Sequence, residues 1–315
     1  MSATERLGLD ASATASVRGG ASAAQQQTSD TFAYKWRRRE TYDSPRVQAH
    51  SRQWMLGRYC EGDPSRLDAW LADGPRILLD AGCGSGYSAL LLFGERLRDH
   101  DYLGVDISDA VDVARERFRE AGIPGEFLQC DLMDLPVPDG SVDLVFSEGV
   151  LHHTDSVEKA VAYLARKLVP GGRFLFYVYA RKGPVREFTD DFVRERLRNL
   201  SDEEAWKALE PLTRLGVALG ELGAEVEVPE DVPLLGIPKG RYDVQRLFYY
   251  YVVKAFYRPD FTLEEMTHVN FDWFRPLNCH RHTPEEVRTF CEQAGLAIER
   301  LAAEPAGITV VARKA

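Results

Sequence analysis

One short segment constrains the fold of this chain more than any other. Apolar residues 77–79 lead into Asp80, and glycines occupy alternate positions over 82–86. The apolar pattern resumes with helical spacing over 87–93, so the segment predicts a strand, a glycine turn and a helix. Glycines allow such a turn to close tightly and allow a ligand to approach the backbone. The pattern therefore predicts an α/β fold with a ligand site at the end of the first strand.

Acidic residues end the first three predicted strands, and they indicate which ligand the turn holds. Asp80 ends the first strand, Asp106 ends the second at 102–106, and Asp131 follows the third at 126–130. A dinucleotide carries an anionic pyrophosphate, which nearby carboxylates repel. S-adenosylmethionine carries an ammonium, a sulfonium and ribose hydroxyls but no phosphate. The acids therefore favour S-adenosylmethionine, and a nicotinamide-binding enzyme is the alternative.

Five sequence blocks, in the order in which they occur along the chain, resemble the motifs of class I S-adenosylmethionine-dependent methyltransferases. The resemblance implies a Rossmann-like, doubly wound α/β sheet of seven strands with the last strand antiparallel. It covers residues 73–180 well and 283–315 moderately, and it says little about the residues between them. The blocks that carry it are residues 79–86, 104–108, 130–132, 139–147 and 170–172.

The resemblance also implies roles for individual residues. Asp106 is placed to accept hydrogen bonds from both ribose hydroxyls. Asp131 is placed to accept one from the adenine amino group, with a helix cap as its alternative role. Asp80 is expected to orient the glycine turn and to face the methionine ammonium. The expected cofactor-binding residues are Asp80, Gly82, Gly84, Gly86, Asp106, Ile107, Asp131, Leu132 and Ser147.

Composition predicts a tail at the amino terminus. Residues 1–29 are rich in small and polar side chains, which cannot bury enough apolar surface to offset their ordering entropy, so we expect disorder. An aromatic segment follows and predicts a helical lid. The predicted regions are a disordered tail at 1–29, an N-terminal helical lid at 30–72, a cofactor-binding core at 73–180, a substrate-binding helical cap at 181–282 and the rest of the core at 283–315.

Helical periodicity continues for about a hundred residues after the fifth predicted strand. This segment is too long for a connection and too regularly patterned for disorder, so we expect an inserted helical cap. The predicted cap helices span 186–199, 202–221, 242–257 and 262–271, with a Pro/Gly-rich loop at 228–240.

The segment after the fourth predicted strand carries the candidate catalytic residues. Glu148 follows Ser147 directly, and His152 lies four residues further on. A carboxylate here can act as a general base, which typically contributes ~10²–10⁴-fold to a rate. The alternative for Glu148 is a structural role, bound to the cofactor ammonium or to a backbone amide. His152 is the second candidate base, with a scaffolding role as its alternative.

Aromatic and basic side chains are the candidates for substrate binding. Aromatic faces stabilise cations by ~0.5–2 kcal/mol, and clustered basic groups bind phosphates or carboxylates. Core packing and solvated surface charge are the alternatives for most of them. The predicted substrate-binding residues are Tyr34, Trp36, Tyr42, Phe188, Arg186, Arg246, Tyr250 and His282.

Charge and composition exclude several classes of function. The net charge of −10 argues against a general nucleic-acid binder. The five cysteines include no C-x-x-C pair, so we expect no disulfide framework and no structural zinc, and a cytoplasmic location. We expect no membrane span, because no apolar run approaches ~20 residues. The histidines and aspartate of segment 268–282 match no strong metal motif, and the sequence indicates no oligomeric state.

These features predict a methyltransferase that acts on a small molecule in secondary metabolism, with an anionic substrate as one option. The combination of Glu148, an aromatic cap and a basic rim is similar to bacterial methyltransferases that C-methylate prenyl diphosphates, in which an alkene attacks the sulfonium methyl. The first hypothesis is therefore isoprenoid C-methylation, with Mg²⁺ as an additional cofactor if the substrate is a diphosphate. The main alternative is O- or N-methylation of a polar natural product. A catalytically silent cofactor-binding protein is the remote one.

Overall fold

The computed structural model describes residues 2–9 and 22–315, and their contacts form two compact units. The first unit contains the described residues up to Arg37, together with Ala49–Ala180 and Asn278–Ala315. The second unit contains Arg38–Gln48 and Arg181–Leu277. Within the described part of the chain, no helix is both long and apolar enough to cross a membrane.

The first unit is built on a seven-stranded sheet of order β3-β2-β1-β4-β5-β9-β8. The last strand, β9, is antiparallel to both of its neighbours, and the other strands run parallel to one another. This confirms the predicted fold class. The strands are β1 (Ile77–Ala81), β2 (Asp101–Asp106), β3 (Glu126–Gln129), β4 (Val142–Glu148), β5 (Leu168–Tyr179), β8 (Leu296–Ala303) and β9 (Gly307–Lys314), with β6 and β7 in the second unit.

Both faces of this sheet are covered, which explains why its central strands are nearly continuous apolar runs. Every residue of β1 is buried. Leu79 and Val145 pack into the core on one face, whereas Leu78 and Leu144 pack into a second core on the other. The alternation follows from the two-residue period of a strand. The covering helices are α1 (Ala3–Arg6), α2 (Ala23–Arg37), α3 (Pro45–Cys60), α4 (Ser65–Trp70), α5 (Tyr87–Phe93), α6 (Ala110–Ala121), α7 (Val157–Lys167) and α12 (Pro284–Gln293).

Helix ends in the first unit follow local capping signals. Thr283 and Glu286 form a capping box at the start of α12. At the start of α7 the spacing of Asp155 and Glu158 predicts a capping box, but the helix is capped one residue later, where the Ser156 hydroxyl accepts the amide of Lys159.

The second unit is a set of helices with one β-hairpin. The predicted helix over 242–257 is shorter than expected, because its first residues pair as a strand and the helix ends at Tyr251. The Gln245 side chain donates to the Ala255 carbonyl at 2.7 Å, which holds the chain in a turn after that helix. The first strand of the hairpin, Glu225–Val228, has the alternating sequence Glu-Val-Glu-Val. Such alternation is typical of a strand, and the helical interpretation of this region overlooked it. The elements are α8 (Pro184–Leu197), α9 (Asp202–Glu221), β6 (Glu225–Val228), β7 (Gly240–Asp243), α10 (Val244–Tyr251) and α11 (Leu263–Phe274).

The prediction of a disordered tail over 1–29 is wrong for residues 2–9 and 22–29, and residues 10–21 lie outside the described residues. Thr4 donates from its amide and from its hydroxyl to the Glu126 carboxylate, both at 2.7 Å. Ala3 and Leu7 are buried in the core of the first unit. Two apolar side chains and one distant acid therefore order a segment whose composition alone favours disorder.

Segment 278–282 lies with the first unit and not with the predicted cap. The His280 amide donates to the His152 carbonyl at 2.8 Å, and the His282 amide donates to the Tyr179 carbonyl at 2.9 Å. Conversely, residues 38–48 of the predicted lid lie with the second unit. Periodicity along the chain does not reveal such exchanges, because both segments are short and lack regular spacing.

We expect Leu7→Ala to lower the free energy of unfolding by ~2–3 kcal/mol, because it leaves a cavity in the core. Leu234→Ala is the matched control, since Leu7 is 6% exposed and Leu234 is 89% exposed. Urea unfolding of both variants checks this. Equal stability of the two would show that α1 does not contribute to the folded core.

Candidate active site

The turn between β1 and α5 requires glycine for two reasons. Gly82, Gly84 and Gly86 have φ values of +87°, +50° and +69°, which side chains rarely adopt. A Cβ atom on Gly82 would lie 2.3 Å from a Val150 methyl, and one on Gly84 would lie 2.6 Å from the Trp36 indole nitrogen. The turn is therefore a cradle with bare backbone, and predicted lid residue Trp36 packs against it.

Asp106, at the end of β2, holds the turn in place. Its Oδ2 accepts the Gly84 amide at 2.9 Å, and its Oδ1 accepts the amide and hydroxyl of Ser108 at 2.8 and 2.6 Å. Burial raises the pKa of Asp106, and the hydrogen bonds from Ser108 and Gly84 oppose that rise. A carboxylate has about four acceptor sites, so this one retains capacity for a ligand hydroxyl.

Asp80, at the carboxyl half of β1, lies in a strongly acidic environment. The Tyr102 hydroxyl donates to its Oδ2 at 2.6 Å. The pKa of Asp80 is raised to about 7, mainly by burial and also by the charges of Asp106 and Glu148, whereas the Tyr102 hydrogen bond opposes the rise. Carboxylates from three neighbouring strands thus act on one another at one edge of the sheet. Such a site favours a ligand with positive charge, because a cation relieves the repulsion.

Glu148, the last residue of β4, is bound on both carboxylate oxygens. The Tyr59 hydroxyl donates to Oε2 at 2.6 Å, and the Arg58 guanidinium donates to Oε1. Burial by itself lowers the pKa of Arg58, but the neighbouring Glu148 more than compensates, and the net pKa is raised. The Arg58 guanidinium also lies 3.5 Å from the ring centre of Trp54 and 4.2 Å from that of Tyr177. Glu148 therefore forms an ion pair with Arg58, and aromatic rings pack against the guanidinium of that pair.

His152, the second candidate base, is fully buried in a short 3₁₀ helix at Leu151–His153. Its ring centre lies 3.7 Å from that of Tyr179, at the end of β5. His153 Nδ1 bonds the Asn278 carbonyl at 2.7 Å. The two histidines therefore join the end of β5 to segment 278–282 within the first unit.

Other predicted cofactor residues occupy more structural positions. The buried Ser147 hydroxyl donates to the Ala81 carbonyl at 2.7 Å and ties β4 to β1. Asp131 Oδ1 accepts the Met133 amide at 2.8 Å, in a turn after β3 where no helix begins. Leu132 is buried, and the Ile107 carbonyl accepts from the Gln129 side chain at 3.3 Å.

Predicted substrate residues are divided between the two units. Tyr34, Trp36 and His282 lie in the first, where His282 Nδ1 bonds Glu286 at 3.3 Å. Tyr42, Phe188, Arg186, Arg246 and Tyr250 lie in the second.

Within the second unit these residues are not alike. Tyr42 is buried against His268, with ring centres 5.3 Å apart. Arg186 is buried and paired with Asp190, whereas Phe188 is 72% exposed. Arg246 donates to a backbone carbonyl at 3.0 Å, and the Tyr250 ring packs against that of Tyr249.

Comparison with known proteins identifies the central domain. A family described as "Methyltransferase domain" matches residues 79–176. The demethylmenaquinone methyltransferase of Thermus thermophilus is 31% identical over 133 residues, which are 42% of this chain and 60% of that protein. An S-adenosyl-L-methionine-dependent Diels-Alderase of Talaromyces variabilis is 39% identical over 124 residues, or 37% of this chain and 41% of that protein. Residues 79–176 therefore match a methyltransferase domain.

A solved structure extends the similarity of the methyltransferase domain to most of the chain. The magnesium protoporphyrin IX methyltransferase of Synechocystis, with S-adenosylhomocysteine bound, superposes with a TM-score of 0.50 and 16% identity. The superposition covers 93% of this chain and all of that one, and it shows a shared fold. The sequence relatives are matched over less than two thirds of their own length.

The sequence did not single out Arg58 and Tyr59, the two residues that bind the Glu148 carboxylate. Arg58 and Tyr59 lie in α3, whose apolar residues show no regular helical face, so no pattern pointed to them. An arginine beside a tyrosine in a predicted lid helix is a weak signal. Among the described residues, no group of three histidine, cysteine or acidic side chains is placed to hold a metal ion.

We expect Asp80→Asn to stabilise the ligand-free protein increasingly as the pH rises from about 4 to 7. Because the pKa of Asp80 is raised from 3.8 to about 7 in the folded chain, its stabilising contribution is complete below about pH 4 and is lost as the pH rises through about 7. The gain over wild type should reach ~4 kcal/mol by pH 7.5, measured by urea unfolding across this range. Exposed Asp99→Asn is the control. Parallel pH curves for wild type and Asp80→Asn would contradict the expected linkage.

Proposed function

We propose that this protein transfers a methyl group from S-adenosylmethionine to a small-molecule acceptor. The observation that carries the proposal is the acidic edge formed by Asp80, Asp106 and Glu148 around a turn of bare glycine backbone. A phosphate-bearing dinucleotide is disfavoured there, whereas a ligand with ammonium and sulfonium groups is stabilised. The match of residues 79–176 to a methyltransferase domain supports the same cofactor.

The residues at this edge fit the parts of S-adenosylmethionine. The Asp106 carboxylate, held by the Gly84 amide and Ser108, is oriented to accept the ribose hydroxyls. Asp80 supplies negative charge for the ammonium. When bound, the cofactor supplies an electrophilic methyl group on a sulfonium. Most of the rate then comes from positioning the acceptor and excluding water, since a direct displacement needs no covalent help from the protein.

We propose C-methylation of a prenyl diphosphate as the reaction, with Glu148 as the proton acceptor. The Glu148 carboxylate accepts hydrogen bonds from the Arg58 guanidinium and the Tyr59 phenol, which fix its position. An alkene that gains a methyl cation becomes a carbocation, whose adjacent protons are acidic enough for a weak base. The nearby rings of Trp54 and Tyr177 offer faces that stabilise positive charge.

The main competing reaction is O- or N-methylation of a polar natural product. A phenol or amine acceptor needs a stronger base, and His152 is the remaining candidate. That side chain is buried against Tyr179. In a third candidate function, the cofactor binds but no methyl group is transferred. The similarity to a Diels-Alderase described as dependent on S-adenosylmethionine is the reason to test it.

We expect Asp106→Asn to weaken the binding of S-adenosylmethionine at least tenfold, because hydrogen bonds to a charged group are worth ~1.5–3 kcal/mol each. Isothermal titration of wild type and variant measures this. Asp99→Asn, which removes an exposed acid of the same unit, should bind as wild type does. Unchanged affinity in Asp106→Asn would remove Asp106 from the ribose site.

We expect Glu148→Gln to reduce turnover by ~10²-fold or more while S-adenosylmethionine still binds, because the variant cannot accept the proton. Tyr59→Phe is the matched control, since it removes one hydrogen bond to the same carboxylate but keeps the charge. Turnover is measured by mass spectrometry with prenyl diphosphates, phenols and amino acids, with and without Mg²⁺.

Stability and cofactor affinity are measured on the same Glu148→Gln sample. A variant that no longer binds the cofactor would assign Glu148 a structural role. A fully active variant would place proton removal elsewhere, with His152 tested next.

A further inference from the structure

Three acids lie on one face of the sheet at its carboxyl edge. Asp80 of β1 is paired in register with Gly104 of β2 and with Phe146 of β4. Asp106 and Glu148 each follow these partners by two positions, and residues two apart in a strand point to the same face. The strand order β2-β1-β4 therefore places Asp106, Asp80 and Glu148 in one row on that face.

Arg58 is the cation that holds Glu148 in this row. The ion pair is buried, with side-chain exposures of 2% for Arg58 and 9% for Glu148. The Tyr59 hydroxyl donates to the other oxygen of the same carboxylate at 2.6 Å, so α3 fixes both oxygens. A buried ion pair contributes little net stability, because the cost of removing its charges from water offsets their attraction. Stability alone therefore does not account for this pair.

Packing around the Arg58 guanidinium fixes its orientation. The ring centres of Trp54 and Tyr177 lie 3.5 and 4.2 Å from it, and Tyr177 is the register partner of Glu148 on β5. The guanidinium Nη1 also donates to the Thr309 hydroxyl at 3.4 Å. A planar guanidinium stacks on rings and donates to a carboxylate at the same time, whereas a lysine ammonium is a point charge without that geometry. The arrangement therefore requires arginine.

A fixed carboxylate in this row acts on the ligand that Asp80 faces. The charge of Glu148 contributes to the raised pKa of Asp80, so it acts across the edge of the sheet. S-adenosylmethionine, the donor, carries one more positive charge than S-adenosylhomocysteine, its product, whose sulfur is uncharged. The two compounds otherwise offer the same ribose, adenine and amino-acid groups. A negative charge at this edge therefore distinguishes the donor from the product.

We propose that Arg58 is a positioning residue, which holds Glu148 as a third acid of the cofactor site and thereby favours the donor over the product. The inference rests on the S-adenosylmethionine site proposed above and does not depend on the identity of the methyl acceptor. Because the sulfur loses its charge when the methyl group leaves, the product does not share this attraction. The held charge therefore helps the site to exchange product for fresh donor.

The test is calorimetric titration of the full chain with S-adenosylmethionine and with S-adenosylhomocysteine. It gives the ratio of the Kd of the product to the Kd of the donor. Glu148→Gln removes the negative charge and should lower this ratio at least about fivefold. Arg58→Lys keeps the positive charge but loses the planar fork, so it should lower the ratio at least about twofold. A general loss of the site's structure weakens both ligands alike and leaves the ratio unchanged.

Arg173→Lys is the matched control. Arg173 donates to both carboxylate oxygens of Glu299, at 2.9 and 3.1 Å, and it lies opposite Leu144 in the same sheet, toward the amino end of β4. The substitution therefore removes an arginine fork of the same kind away from the row of acids. Its ratio should equal that of wild type.

The double variant Arg58→Met with Glu148→Gln removes a pair of zero net charge. It leaves no buried charge alone, so it should fold even if Arg58→Lys does not, and urea unfolding checks this. The negative end of the pair lies in the row of acids, whereas the positive end comes from α3, so the ratio should still fall at least about twofold. A wild-type ratio in this variant would show that the pair acts on the ligand as a neutral unit, which would overturn the proposal.

An unchanged ratio in folded Glu148→Gln or in folded Arg58→Lys would overturn it as well. Because the titrations need no turnover, the outcome is separate from that of the methyl-transfer assays. Wild type that binds neither compound would refute both the proposed cofactor and this inference. Binding of both compounds with equal ratios in all variants would refute only the inference.

Discussion

The carboxyl ends of β1, β2 and β4 meet at one edge of the sheet, and the acids they carry repel one another there. Parallel strands make this unavoidable, since all of them end on the same side. Asp80, Asp106 and Glu148 remain together because each has donors of its own: the Tyr102 hydroxyl, the backbone of the glycine turn, and Arg58. A cationic ligand relieves the repulsion that remains between these acids, which explains why a binding site is expected at this edge.

Arg58 connects this edge to the rest of the first unit. Its guanidinium pairs with Glu148 and lies between the rings of Trp54 and Tyr177, while its carbonyl accepts from Arg300 at 2.7 Å. One buried residue of α3 therefore contacts β4, β5 and β8. Removing only one partner of such a pair leaves a buried charge, so the side chain that could act as a base is also part of the framework.

The second unit places its buried polar groups differently. Asn270 bonds Thr213 at 2.9 Å and the Phe256 amide at 3.0 Å, so α11, α9 and the turn after α10 share one network. Buried Asp190 accepts from the Arg186 guanidinium at 2.6 Å and from the Trp273 indole at 2.8 Å. The first unit thus concentrates negative charge at its sheet edge, whereas the second pairs its buried polar groups between its own helices.

Local signals were sufficient for the strand-turn-helix at residues 77–93, and the resemblance to a known family was sufficient for a sheet of seven strands with the last one antiparallel. Each depends on residues close together in the chain or on a motif order typical of one fold. The pairing of Arg58 with Glu148 joins residues that are far apart, and so does the binding of Thr4 to Glu126. No periodicity encodes such pairs, because they form only after the sheet has placed distant segments side by side. The sequence by itself therefore determined the fold class and the acids at its strand ends, while the tertiary structure decided which buried charges those acids meet.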